Sequence, residues 1–370
     1  MPRSLKGLLM KFRSLARFAG IACLLTFFSG ASLPCFADVA VALPSYQVDI
    51  TKTSVSGLSS GAFMATQFHL AYSASLVGAG VIAGGPFYCA GSVPGAPFLE
   101  TAMTICMSPA IGEGPDPAFL LQQAHIFAQE KDIDTLDHLK RSKVYLFSGS
   151  ADKTVLTKVV DQTYAFYKLA GVPLENIKYV SNVAAGHSII TNRSQDTQCA
   201  LTAAPYINDC HFMQSHDILR HIYADLRPPV RQLSGKILKF NQKKFTGPFV
   251  SRYFSSMSDD AYLYVPKSCE TETCKVHVVF HGCEQGAGKI GDQFYRGTGY
   301  NEIADSNNVI VLYPQVESRA LFFPPYNPKG CWDFWGYSSM NFFAPKFYAK
   351  TAVQMQAVKS MLDQLAKPRK

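Results

Sequence analysis

Long apolar runs, blocks of one charge, C-x-x-C pairs, internal repeats and linkers are all missing from this 370-residue chain. The composition, 48% hydrophobic and 17% charged, is that of an ordinary globular protein and carries no bias toward disorder. Without a C-x-x-C pair, structural zinc has no obvious ligands. The longest apolar stretch, residues 18–28, is too short to span a bilayer comfortably. The only candidate joint, Arg227-Pro228-Pro229-Val230, is short, so the rest reads as one domain. A net charge of +8 suggests a polyanion partner until its position is noted. Arg3, Lys6, Lys11, Arg13 and Arg17 supply five of those charges within residues 1–37, which contain no acid, so +3 remains for residues 38–370. Nucleic-acid binding thereby loses its main support.

Those five cations, the apolar run and the small residues leading to Cys35-Phe36-Ala37 have the layout of a secretory signal. Cleavage is expected after Ala37, with Ala31 as the alternative site and a retained anchor as the alternative outcome. Pro34 before Cys35 makes a poor lipoprotein signal. The expected location is therefore extracellular or periplasmic, with no stable membrane anchor. Of the 10 cysteines, eight lie beyond the signal, an even number that implies disulfides in an exported protein. Proximity suggests Cys89–Cys106, Cys199–Cys210 and Cys269–Cys274, leaving Cys283–Cys331, out of 105 conceivable connectivities. Asn192-Arg193-Ser194 would take a glycan only in a host that glycosylates such sites.

From about residue 47, β-type runs alternate with helical ones. Strands are expected over 48–55, 80–84, 143–148, 177–183, 236–240, 261–266, 276–280 and 309–313. Helices are expected over 62–72, 118–129, 156–169, 212–223, 300–306 and 346–365. This alternation predicts an α/β fold with a mostly parallel sheet covered on both faces.

Three strand ends carry chemistry. Gly57-Leu58-Ser59-Ser60-Gly61 reads G-x-S-x-G between a strand and a helix, where glycines let the backbones pass around a strained serine. Ser148-Gly149-Ser150-Ala151-Asp152 places a carboxylate just past one strand, and Ala184-Ala185-Gly186-His187 a histidine past the next. A lone aspartate in such a loop usually caps a turn, and a lone histidine usually packs a core. Ser59, Asp152 and His187 together, however, follow the chain order of α/β-hydrolases. In that arrangement the histidine takes the serine's proton and the aspartate orients the histidine. The tetrahedral oxyanion needs two amide donors, and Ser60 supplies the first. The second normally comes from a His-Gly loop upstream, but here Val278-Val279-Phe280-His281-Gly282-Cys283 puts His281 222 residues beyond Ser59. A circular permutation accounts for that order. It predicts that the end of the last helix meets the chain near residue 48.

Together with Gly57-Leu58-Ser59-Ser60-Gly61-Ala62 and His281-Gly282-Cys283, the segments Val311-Leu312-Tyr313-Pro314-Gln315 and Asn327-Pro328-Lys329-Gly330-Cys331-Trp332 resemble extracellular polyhydroxyalkanoate depolymerases. The similarity is to the single-domain type with a circularly permuted α/β-hydrolase domain, and covers nearly everything after the signal. It implies a secreted serine esterase acting on poly(3-hydroxybutyrate), short-chain relatives or their oligomers through an acyl-enzyme. In this likeness Ser59 is the nucleophile, His187 the base and Asp152 its orienter. The amides of Ser60 and Cys283 form the oxyanion hole, and Trp332 lines the crevice beside a Cys283–Cys331 bridge. Unlike many members, the chain is read as lacking a linker and a second, polymer-binding domain, which weakens the case for attack on crystalline polymer.

A neutral ester also suits the residues themselves. No Arg/Lys clamp stands near the motifs, whereas residues 320–326 and Trp332-Asp333-Phe334-Trp335-Gly336-Tyr337 are dense in aromatics. Trp332, Trp335 and Tyr337 are the expected substrate contacts, because polar tips tolerate partial exposure. The protein is expected to be a monomer needing no metal or cofactor; His211, His216 and His221 are five apart and share no helical face. Two rivals remain: a secreted carboxylesterase for phenolic or acetyl esters of plant polymers, and a non-catalytic polyester-binding protein.

Overall fold

Central strands buried on both faces must be apolar or have their polar groups satisfied by neighbours, and must find helices above and below. The computed structural model describes residues 40–319 and 325–369. The expected signal, residues 1–37, and most of the aromatic run 320–326 lie outside the described residues. Eleven strands are described, numbered in chain order. Eight form the main sheet: β1 (Thr53–Leu58), β2 (Leu76–Ile82), β3 (Lys143–Phe147), β4 (Ile177–Val180), β8 (Lys236–Asn241), β9 (Asp260–Val265), β10 (Lys275–Phe280) and β11 (Val309–Tyr313). Their order is β4-β3-β2-β1-β10-β11-β9-β8. The first six run parallel, and β9 and β8 close one edge antiparallel. A second sheet, β5 (Ile189–Thr191), β6 (Thr197–Gln198) and β7 (Ile207–Asp209), follows His187 directly.

The helices are α1 (Ser60–Ala71), α2 (Phe98–Met103), α3 (Pro117–Gln129), α4 (Thr157–Leu169), α5 (Gln214–Tyr223), α6 (Phe249–Phe254), α7 (Ala287–Ile290), α8 (Gln293–Gly297), α9 (Tyr300–Asp305) and α10 (Val353–Ala366). Residues 277 and 280 of β10 differ in parity and so point to opposite faces. His277 stacks on Tyr300 of α9, while Phe280 meets Phe68 of α1, so helices cover both sides. All twelve residues of α1 are buried, as befits a helix wedged into the core rather than lying over it.

Several boundaries differ from expectation. The first strand starts at Thr53, because Ile50–Lys52 forms a 3-10 turn whose Thr51 amide donates to Asp49 Oδ1 at 3.1 Å. The last helix starts at Val353 rather than 346; Lys346 and Lys350 lie before it and pair with Asp132 and Asp134. Its far end meets the chain where expected: Tyr46 N donates to Leu365 O at 2.9 Å and Gln47 N to Lys367 O at 3.0 Å. The four cysteine pairs are Cys89–Cys106, Cys199–Cys210, Cys269–Cys274 and Cys283–Cys331, as proximity suggested. The chain has the α/β-hydrolase type of architecture, with a mostly parallel central sheet.

Candidate active site

Ser59 follows β1 directly with φ 57° and ψ −124°, a positive-φ conformation that costs a non-glycine residue on the order of 1–3 kcal/mol. The strain is held in place by neighbours. Ser59 N donates to Ile82 O at 2.9 Å, and Ser59 O accepts from Ala62 N at 2.8 Å. The flanking glycines have no room for a side chain: a Cβ on Gly57 would stand 2.2 Å from Gly61 O, and one on Gly61 2.3 Å from Phe280 O. Ser60 opens α1, so its amide belongs to the first turn, which has no helical acceptors.

Asp152 and His187 meet as their strand ends predict. His187 Nδ1 lies 2.7 Å from Asp152 Oδ2, and both side chains are buried. The other carboxylate oxygen accepts from Thr154 N at 2.7 Å and Val155 N at 3.1 Å, so three donors fix the carboxylate. Thr202 Oγ1 accepts from His187 N at 2.9 Å and anchors the loop. With Nδ1–H donated to Asp152, Nε2 is the nitrogen left with a lone pair for proton transfer. Ser59 and His187 line one cavity of about 200 Å³.

The loop after β10 closes against the serine. A Cβ on Gly282 would lie 3.5 Å from Ser59 Cβ, which brings the next amide, that of Cys283, to the same cavity wall. Among the described residues no acceptor takes that amide. Gln285 holds the loop: its Oε1 accepts from Gly282 N at 2.7 Å, and its Nε2 donates to Pro205 O at 2.9 Å and Tyr206 O at 3.0 Å. Nothing in the sequence singled out Gln285. His281 is a brace rather than a reactant. Fully buried, it accepts from Val316 N at 3.2 Å, donates to Gly282 O at 2.7 Å, and is pushed by burial down to a pKa of about 4.

The aromatic segment divides differently from expectation. Trp335 is on the cavity wall, Tyr337 lines only a wider cleft beyond it, and Trp332 lines neither. Trp332 is fully buried, edge-on to Phe280 at 5.0 Å, and its amide donates to Ser60 Oγ at 3.2 Å, so it supports the elbow from behind. Tyr337 turns its hydroxyl inward to donate to Cys331 O at 2.7 Å. The turn between them wraps a buried carboxylate. Asp333 accepts from the amides of Trp335, Gly336, Tyr337 and Ser338 and from Ser338 Oγ, while desolvation raises its pKa. Phe334 stacks on Phe63 at 4.2 Å, and with Met103 and Met107 these rings make the wall largely apolar. The methionines carried no recognisable signal in the sequence. A cation reaches the cavity after all: Lys329, beside Glu284. The three histidines of α5 and its approach have separate partners: His216 meets Gly299 O, His221 meets Asn176 O, and His211 faces solvent beside Asp209.

No family model matches the chain. A poly(3-hydroxybutyrate) depolymerase of Delftia acidovorans is 41% identical over 335 residues, which are 88% of this chain and 62% of that protein. The chain thus spans somewhat under two thirds of that relative's length. A polyhydroxybutyrate depolymerase of Talaromyces funiculosus is 35% identical over 316 residues, covering 82% of this chain and 87% of the relative. Among solved structures, a PHB depolymerase from Penicillium funiculosum superposes with a TM-score of 0.77 at 32% identity, covering 88% of this chain and 99% of that one. A PHB depolymerase complexed with an R3HB trimer gives the same values.

Proposed function

The chain belongs to the polyhydroxybutyrate depolymerase family, and on that premise we propose that it is an exported serine esterase cleaving poly(3-hydroxybutyrate), related short-chain polyesters or their oligomers. The observation that carries this reading is the 2.7 Å Asp152–His187 bond in a buried corner of the cavity that Ser59 enters on its strained turn. Ser59 Oγ attacks the ester carbonyl as His187 Nε2 takes its proton. The oxyanion is received by the amides of Ser60 and Cys283. His187 then protonates the departing alcohol, leaving an acyl-serine. Water, activated by the same nitrogen, repeats the sequence and releases the acid. Asp152 holds the imidazole's tautomer and offsets the positive charge that forms on it.

The apolar wall suits a neutral polyester backbone. A wider cleft of about 740 Å³ continues from Trp335 past Phe98, Tyr326 and Phe342, and exposed Phe343 stands at its edge, a surface suited to settling on an apolar solid. Export is supported by the four disulfides; among the described residues no helix is long and apolar enough to cross a membrane. In this reading residues 1–37 are a signal cleaved after Ala37, and 38–370 are one circularly permuted catalytic domain acting as a monomer.

Clearing of amorphous poly(3-hydroxybutyrate) granules, beside acid release from soluble oligomers, tests the reading for wild type and Ser59→Ala. Clearing by wild type alone is the expected result. Oligomer cleavage without clearing would restrict the substrate to soluble pieces, and inactivity of folded wild type on both would remove the polyester reading.

A further inference from the structure

An apolar ester crevice gains nothing from a charge unless the charge reads something. Leu58, Phe63, Met103, Met107, Val155 and Phe334 give the cavity around Ser59 its apolar lining. Lys329 and Glu284 break that pattern, and both lie next to the loop that presents Cys283.

Their backbones are firmly placed. Glu284 N donates to Lys329 O at 2.7 Å. The Cys283–Cys331 bridge joins the neighbouring positions. Asn327 clamps the turn, its Oδ1 accepting from Cys331 N at 2.8 Å and its Nδ2 donating to Cys331 O at 2.9 Å. Only the side chains are loosely held. Lys329 Nζ stands 3.5 Å from Glu284 Oε2, with the lysine side chain 66% exposed, and Tyr206 OH reaches the same carboxylate oxygen at 3.4 Å. A pair so exposed and so long is weak. The ammonium can therefore leave Glu284 for another carboxylate at little cost.

Soluble hydroxyalkanoate oligomers provide one. The interior of a polyester has no charge, but every oligomer ends in a carboxyl group that is ionised at neutral pH, and every ester cut creates another. We propose that Lys329 is a specificity-determining residue that binds the terminal carboxylate of short oligomers. Glu284 is the ammonium's weak partner while the site is empty. The inference rests on the esterase reading above and adds to it a preference for oligomer acids over their neutral esters.

Steady-state kinetics on a 3-hydroxybutyrate trimer as free acid and as methyl ester test it. Lys329→Met should raise KM for the acid about fivefold, the scale of one exposed ion pair, with kcat and the methyl-ester KM nearly unchanged. Added salt should raise the wild-type KM for the acid and leave the variant's alone. Glu284→Gln should lower that KM, and Lys329→Arg should restore it, which a role confined to folding would not produce. An acid-to-ester KM ratio that does not move in Lys329→Met, while wild type still cleaves the methyl ester, overturns the assignment alone. A wild type inert on both trimers overturns the assignment, and one that also fails to clear granules overturns the esterase reading with it.

Discussion

The seam between β1 and β10 and the rim around Trp335 both serve Ser59, yet they hold their residues by opposite means. In the seam, His277 is fully buried between two serines of β1, 2.6 Å from Ser54 Oγ and 2.8 Å from Ser56 Oγ. Tyr223 and Tyr300 complete the network at 2.8 and 2.6 Å from those hydroxyls. The polar atoms of this cluster satisfy one another, so the register of the two strands bearing the elbow and the Gly282 loop is over-determined. The rim has little of this. Met103, Tyr326, Phe342 and Phe343 are each more than half exposed. Bond-making needs geometry fixed to fractions of an ångström, whereas gripping a polyester needs apolar area with freedom to adapt.

The sharpest way to break the contrast is to alter the buried machinery without changing its shape. Asp152→Asn should lower kcat on oligomers by about 10⁴-fold, since an amide stabilises the wrong histidine tautomer. A urea midpoint near that of wild type would confirm an intact fold, and a loss under about tenfold would remove Asp152 from its role.

Acid should weaken the seam next. Burial lowers the His277 pKa to about 3, below the ordinary value of 6.5. The folded protein then binds this proton less readily than the unfolded chain, so the contribution is complete above about pH 6.5 and is lost as pH falls toward 3. Urea unfolding of His277→Gln between pH 6 and 4.5 should therefore show a pH slope shallower than wild type by about 1.4 kcal/mol per unit. Parallel slopes would mean that His277 is not buried neutral.

The rim should yield the mildest change. Trp335→Ala is expected to cost under about 2 kcal/mol of stability and to slow granule clearing about tenfold, as one aromatic anchor at an interface can. Hydrolysis of a small soluble ester should change far less. Equal losses on granule and small ester would place Trp335 with the fixed machinery instead.

The same contrast explains what could be read from the sequence. Ser59, Asp152 and His187 each follow a strand whose apolar run is local, and the triad proposed for them needs residue types that strand-end loops otherwise seldom combine. His281-Gly282 was legible for the same reason, although its partner lies far away in the chain. Trp332 was not: a tryptophan supporting the elbow from behind and one facing substrate have the same letters around them, and only packing against Phe280 separates them. The second sheet escaped notice because its strands of two or three residues are too short to show alternation. Residues 346–352 promised helix, but Phe347 and Tyr348 are buried there against Tyr88 and Phe127, and tertiary packing overrode local propensity.

The wide separation of Ser59 from Gly282 and from the end of α10 also bears on the timing of synthesis. Ser59 leaves the ribosome roughly 220 residues before the Gly282 loop that closes against it, and about 300 before the helix end that pins residues 46–48. Strand β1 cannot acquire its neighbour β10 until most of the chain exists, a high contact order that slows folding. Incomplete chains would thus carry Ser59 without the Gly282 loop beside it, and the cavity around that serine would close only once both segments exist.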